Sequence, residues 1–249
     1  MTKRLLLFTV ALFSFFSVQA QDAPEVQNSL ISKITATWCP PCGGWGWDFF
    51  HELEDDNSDK ALVIAVHHSN SQLETPTSSA LTDNFNTNSQ PRFIFNNQDQ
   101  GALPSNSADK RIDIQNMVNT NNASSPVVNT GLQAFHDMDN NTITVKTKSK
   151  FFQEADGEYY LGVYVIEDDV EAPQAPSNNI TMHSNVLRTG LSTDHFGVAL
   201  ASGTIAVDTE TELEFSIDIN SDWNMENVTM ASIIWKSENG AYTFVNTNS

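Results

Sequence analysis

The chain has 249 residues, 39% hydrophobic and 10% aromatic, with 15 Phe and 5 Trp able to build a core. Its 12 basic residues face 31 acidic ones, a formal net charge of −19 that repels phosphate backbones and anionic lipid and excludes nucleic acid as a partner. Two cysteines exclude a multi-disulfide scaffold and a four-thiolate zinc site.

Residues 1–20 read as an export signal. Lys3 and Arg4 precede an apolar run over residues 5–16, and Val18-Gln19-Ala20 has the small-x-small form of a cleavage site. The run is too short for a comfortable membrane span, and no later segment has 18 consecutive apolar residues. The mature chain is therefore expected to be soluble, without a transmembrane segment. No cysteine follows the cleavage site to take a lipid anchor. Export would carry the chain to an oxidising compartment, where Cys39 and Cys42 can pair.

A strand is expected over 30–37. The Ala36-Thr37-Trp38-Cys39-Pro40-Pro41-Cys42 motif follows, then a helix with Trp45, Phe49 and Leu53 at four-residue spacing. Residues 61–66, ALVIAV, read as a strand buried on both faces. A polar loop covers 69–77, and Ser78 or Ser79 could cap a short helix carrying Leu81 and Phe85. Phe93-Ile94-Phe95 is a strand entered after Pro91. A helix over about 108–119 has Ile112, Met117 and Val118 as core candidates. The polar stretch 121–126 reads as a linker. Beyond it, strands are expected at 127–135, 142–152, 159–167, 186–191, 204–208, 211–219, 229–236 and 242–246. Asp139-Asn140-Asn141 fits a hairpin turn. Segment 168–185 is either an ordered crossover or a mobile loop. This organisation predicts an α/β domain over 21–122 and an all-β sandwich, Ig-like or jelly-roll, over 125–249.

The cysteine pair carries the chemistry. Between a strand and a helix, the first thiol meets unpaired N–H groups and the helix dipole, which favour its thiolate. Cys39 is thus the expected exposed nucleophile and Cys42 the more buried resolving thiol. Pro40 and Pro41 remove two donors and stiffen the turn. A structural disulfide is the plain alternative. No metal site is expected, since His51, His67 and His68 lack ligand spacing. Residues 55–59 and 137–141 are only faintly like calcium loops, lacking the glycine and distal glutamate of an EF-hand; a helix-end loop and a hairpin turn suit them better. Glu167, Asp168, His183 and Arg188 are expected to form a charged cluster holding 168–185 in place; the alternative is that they bind a ligand.

The WCPPC motif, its preceding strand and its following helix resemble the thioredoxin-like superfamily, especially exported bacterial members. The resemblance implies a cis-proline facing the disulfide, for which Pro91 in Ser89-Gln90-Pro91-Arg92-Phe93 is the match. It also implies that Gln90 offers backbone groups to an extended substrate, and that Trp38 packs beside the disulfide. The sequence departs from the superfamily where a buried acid often stands six residues before the first cysteine. Lys33 occupies that position here, and Gly43-Gly44 replaces a frequent basic residue. Glu52, His67 and His68 are conceivable substitutes for the acid, although a helix face and a strand exit suit them better. The strings Val165-Ile166-Glu167-Asp168-Asp169-Val170, Gln174, His183-Ser184-Asn185-Val186-Leu187-Arg188 and Tyr242-Thr243-Phe244-Val245-Asn246 resemble the 28-kilodalton outer-membrane-protein family of the Bacteroidetes. That family joins a thioredoxin-like domain to a β-domain in a Gram-negative envelope.

The leading expectation is an exported thiol–disulfide oxidoreductase of the periplasm or outer-membrane periphery, possibly secreted. It would need no cofactor beyond its redox-active disulfide. Its partners would be envelope protein thiols or disulfides and an unidentified protein that recycles the cysteines. The alternative is a non-enzymatic surface protein whose β-domain binds protein or glycan and whose disulfide braces the fold.

Overall fold

The computed structural model describes residues 20–87 and 89–249, so the expected export signal lies outside the described residues except for Ala20. In chain order the elements are β1 (Ser29–Thr35), α1 (Pro40–Gly43), α2 (Trp45–Asn57), β2 (Ala61–His67), α3 (Pro76–Asn84), β3 (Arg92–Phe95), β4 (Gln98–Asp99) and α4 (Ser107–Asn122). Ten strands follow: β5 (Val128–Asp137), β6 (Thr142–Phe151), β7 (Ala155–Glu167), β8 (Val170–Gln174), β9 (Asn179–His183), β10 (Val186–Gly190), β11 (Val198–Ile205), β12 (Glu210–Asp218), β13 (Val228–Glu238) and β14 (Ala241–Asn248).

The protein is mostly β, built on one mixed sheet ordered β14-β13-β7-β10-β2-β1-β3-β4, with β11 also paired to β7. Strand β1 is buried at every residue. It runs parallel to β2 and antiparallel to β3. Such two-faced burial suits the nearly unbroken apolar run of β2, whereas β1 buries Ser29, Ser32, Lys33 and Thr35 among Leu30, Ile31 and Ile34. Strand β10 joins β2 through Val186 and Ala65 and pairs antiparallel with β7. Strands from either side of residues 121–126 are therefore neighbours in a single sheet. A second sheet is ordered β12-β6-β5, and β8 and β9 form a separate hairpin.

Three buried clusters hold these layers. Ile31, Val63 and Phe93 meet Phe49, Phe50, Leu53, Ile114 and Val118 from α2 and α4. On the opposite face, Leu30, Ile64 and Ile94 share a cluster with Leu81, Tyr164, Ile233 and Trp235. Val145, Phe151 and Phe215 of the three-stranded sheet share a third cluster with Leu161, Val163 and Ile234.

Several local expectations shift. Helix α3 starts earlier than Ser78: Pro76 sits in its first turn, and Thr75 and Ser78 cap each other reciprocally. Helix α4 runs to Asn122 and buries Ile114 and Val118, whereas Ile112 faces solvent. The expected linker therefore begins as helix. Asn121 donates to the Asn28 carbonyl and Asn122 to that of Lys60. Strand β11 precedes and overlaps the expected 204–208, because Val198–Ile205 aligns along β7 despite a weak apolar pattern. Segment 168–185 is ordered as the β8–β9 hairpin.

Asparagine side chains stitch distant backbones together. Asn84 and Asn97 both donate to the Tyr242 carbonyl. Asn84 also accepts from the Tyr242 N–H, and Asn97 from that of Phe244. Asn246 accepts from the Asn28 N–H, while Gln27 donates to the Val245 carbonyl. These side chains bond backbone groups along β14 and at Asn28.

Candidate functional site: the Cys39–Cys42 disulfide

Strand β1 delivers Ala36 and Thr37 to the start of α1, where Cys39 is the N-cap. Pro40 and Pro41 occupy the first helical positions and have no N–H to offer. The first available donor is the Cys42 amide, and it reaches the Cys39 sulfur at 3.2 Å. The two cysteines are joined as a disulfide. From the far side of β1, the Gln90–Pro91 peptide is cis. The Gln90 carbonyl lies 3.8 Å from Cys39 Sγ. A Cβ on Gly46 would approach Pro91 Cγ to 2.9 Å, so the absence of a side chain there lets α2 lie against this proline. Trp38 is 48% exposed, and its indole N–H donates to the Ser69 carbonyl at 2.9 Å.

The structure thus brings Cys39, Cys42, Gln90, Pro91 and Trp38 into one neighbourhood. It differs from expectation in one respect: Cys39 is only 2% exposed. The β8–β9 hairpin accounts for backbone coverage on this motif. Gln174 Nε2 donates to the Cys39 carbonyl at 3.1 Å and to that of Ala36 at 3.4 Å. The Ala175 N–H donates to the Thr37 carbonyl at 2.8 Å. The sequence offered no signal for this docking, since its acceptors are backbone carbonyls.

Beneath α2 lies a buried basic group. Lys33 on β1 is 3% exposed, with its ammonium 5.2 Å from the Trp47 ring and 4.9 Å from that of Phe50. Burial depresses its pKa to about 7, with the charge of Glu54 pulling the other way. Six residues before Cys39 this chain therefore holds a buried amine that is half-neutral near pH 7. His67 and His183 pack close by, ring centroids 5.4 Å apart. Both have an Nε2 without a partner among the described residues. Burial, then the charges of His183, Lys33, His68 and Arg188, hold His67 well below its ordinary value. Burial first, and Lys33 second, depress His183 to about 4, with a bond to the Ala172 backbone acting oppositely.

The expected charged cluster is only partly assembled. Arg188 Nε lies 3.3 Å from Glu167 Oε2, and Glu167 Oε1 accepts from the Asn224 N–H at 2.6 Å. Asp168 accepts from the Asn185 N–H at 3.3 Å. His183 is elsewhere, edge-on to Trp47 at 5.2 Å. Glu52 lies near Arg111 instead of the disulfide, and His68 is half-buried with its pKa lowered by burial. In the loops once compared with calcium sites, Asp137 accepts from the Asp139 and Asn140 amides and Asp56 is gripped by Arg111. Among the described residues, no group of three or more His, Cys, Asp or Glu is placed to hold a metal. No helix among them is long and apolar enough to cross a membrane.

The histidines predict an acid sensitivity. A ring with a folded pKa near 4 and an unfolded one near 6.5 makes the unfolded chain bind more protons between those values. Stability therefore falls as pH drops from 6.5 to 4, by about 3 kcal/mol for His183 alone at 1.36 kcal/mol per pKa unit. His183→Asn, which keeps a donor towards Ala172 and removes the titration, should flatten that part of a urea-denaturation profile. An unchanged pH slope in this variant would reject the assignment.

Neither a scan of protein-family models nor a search of curated proteins found a match. Among solved structures, HBP35 of Porphyromonas gingivalis is similar with a TM-score of 0.72 at 16% identity, over 91% of this chain and 76% of that one. A domain of the outer membrane lipoprotein Omp28, also from Porphyromonas gingivalis, aligns with a TM-score of 0.31 at 14% identity, over 49% of this chain and 88% of that domain. The first of these likenesses extends to most of the fold.

Proposed function

We propose that this chain is an exported, envelope-resident thiol–disulfide exchange protein, with a thioredoxin-like N-terminal unit and a β-sandwich C-terminal unit. The observation that carries the reading is the Cys39–Cys42 disulfide at a helix start, with the carbonyl before cis-Pro91 placed 3.8 Å from Cys39 Sγ. The order β2-β1-β3-β4, with β1 parallel to β2 and antiparallel to β3, supports the first unit. The shared cluster between β12-β6-β5 and β7, β11 and β13 supports the second.

In the oxidised form, a thiolate of a partner protein attacks Cys39 Sγ. The Cys39–Cys42 bond breaks, a mixed disulfide forms at Cys39, and Cys42 leaves as a thiolate that takes up a proton. A second partner thiolate then attacks the partner's own sulfur in the mixed disulfide. Cys39 leaves as a thiolate facing the Cys42 N–H, and the partner departs oxidised. Two electrons pass to the cysteine pair, and a disulfide-bearing recycling protein removes them. Run in reverse, the same steps reduce a partner. Gln90 and Pro91 would shape the groove for an extended partner segment, and Trp38 would form its rim.

The decisive measurement is the reduction potential of the Cys39–Cys42 pair, titrated in thiol redox buffers and followed by Trp fluorescence. Exchange proteins lie between about −270 and −120 mV, whereas structural disulfides lie below about −300 mV. A value in the first range is expected, and one below the second rejects the reading. The burial of Cys39 favours a second reading, a surface binding protein whose disulfide is only a brace. That reading requires undiminished protein or glycan binding after Cys39→Ala with Cys42→Ala.

A further inference from the structure

The hairpin that docks on the disulfide motif is fastened twice. At its tip, Gln174 and Ala175 hydrogen-bond the carbonyls of residues 36, 37 and 39. Both are buried, whereas Pro176 and Ser177 just beyond are exposed. At its stem, Val170 pairs with His183, whose ring sits between Trp47 of α2 and His67 of β2. Gly43 shows how close the tip lies. A Cβ there would come within 2.0 Å of the Ala175 carbonyl oxygen and 2.6 Å of Gln174 Cγ. Gly43 lies within α1, so its lack of a side chain serves this contact. Beside this contact Cys39, the expected nucleophile, is almost fully covered.

We propose that the β8–β9 hairpin is a built-in strap that closes the disulfide, and that a partner reaches Cys39 only when the tip lifts from residues 36–39 and Gly43. The strap also reports the chemistry of the seat it fills. That seat accepts an extended segment giving one backbone N–H to Thr37 and one side-chain amide to the carbonyls of Ala36 and Cys39. The outward side of the strap carries Ile180 and Met182, both exposed. The biological sense of the strap rests on the exchange reading, but its physical test does not.

The test uses the full chain and Gly43→Ala. Alanine favours helix over glycine, so α1 should persist while the added methyl evicts the tip. Two readouts are followed: hydrogen exchange at the Ala175 amide, and the rate at which a water-soluble phosphine reduces Cys39–Cys42 under native conditions. The expected result is loss of protection at Ala175 with reduction faster by about tenfold, the scale of one lost hydrogen bond with its packing. Gln174→Ala, which removes the amide and adds no clash, should quicken reduction by a smaller factor. Reduction unchanged with Ala175 deprotected would overturn the strap, as would an Ala175 amide that stays protected in both variants. So would wild-type reduction as fast as that of a short WCPPC peptide. Because the phosphine needs no protein partner, the strap and the exchange reading fail separately. Faster reduction with a potential below about −300 mV keeps the strap as a cover and removes only the exchange role.

Discussion

At pH 7, Lys33→Met should be more stable than the wild type by about 4 kcal/mol. The folded chain holds the amine at a pKa of about 7 against an ordinary 10.5. The sign follows from proton uptake. Between pH 7 and 10.5 the unfolded chain binds more protons at this residue, so wild-type stability rises with pH across that window. At pH 7 nearly the whole difference acts against folding, at 1.36 kcal/mol per unit. At pH 10 it has shrunk to about 1 kcal/mol. Methionine keeps an unbranched side chain against Trp47 and Phe50. Glu54 is not orphaned by the change, because His51, Ser184 and Asn185 also bond it. Urea denaturation of both proteins at pH 7 and pH 10 is the check. A variant less stable than wild type at pH 7 would mean that the cation–π contacts outweigh burial.

Trp235→Ala should cost about 4 kcal/mol, in the middle of the range for emptying a packed aromatic site. Trp235 is fully buried on β13. Its ring meets Phe196 at 5.4 Å and Phe244 at 6.3 Å, both edge-on. Its N–H donates to the Tyr164 hydroxyl at 2.8 Å, which donates onward to the His195 carbonyl at 2.9 Å. Burial holds that phenol above its ordinary pKa, so it stays a donor. Removal of the indole leaves a cavity where β7, β13 and the loop at His195 meet. Trp235→Phe should cost about half as much, since much of the ring volume and the Tyr164–His195 bond survive. Guanidinium denaturation midpoints of the two variants test the ranking; equal losses would show that the hydrogen bond, not the volume, dominates.

What the sequence disclosed was local. A CxxC between a strand and a helix, and a proline just before Phe93-Ile94-Phe95, are short patterns with a chemical meaning that needs no distant partner. The alternation of residues 142–148 likewise showed a half-buried strand. Lys33 was legible as an oddity, but not as a buried amine, because a lysine within a strand reads as a solvent-facing residue. Val198–Ile205 was found only at its end, since Ala, Ser and Gly carry almost no apolar rhythm. The docking of Gln174 on residues 36–39 was invisible for a different reason. Its acceptors are main-chain carbonyls, identical in every sequence, and only the register of β7, β10 and β2 decides which of them the hairpin meets.

The asparagine bonds around β14 also set an order of events for a chain made from its N-terminus. Asn84 and Asn97 are synthesised well over a hundred residues before Tyr242 and Phe244, the backbone they clasp. Gln27 and Asn28 wait longer still for Val245 and Asn246. Contacts of such sequence separation close late. The β13 edge of the large sheet stays unpaired until β14 has been made. The side chains that clasp are thus made early and the backbone they hold is made late, so neither part of the fold is finished without the other.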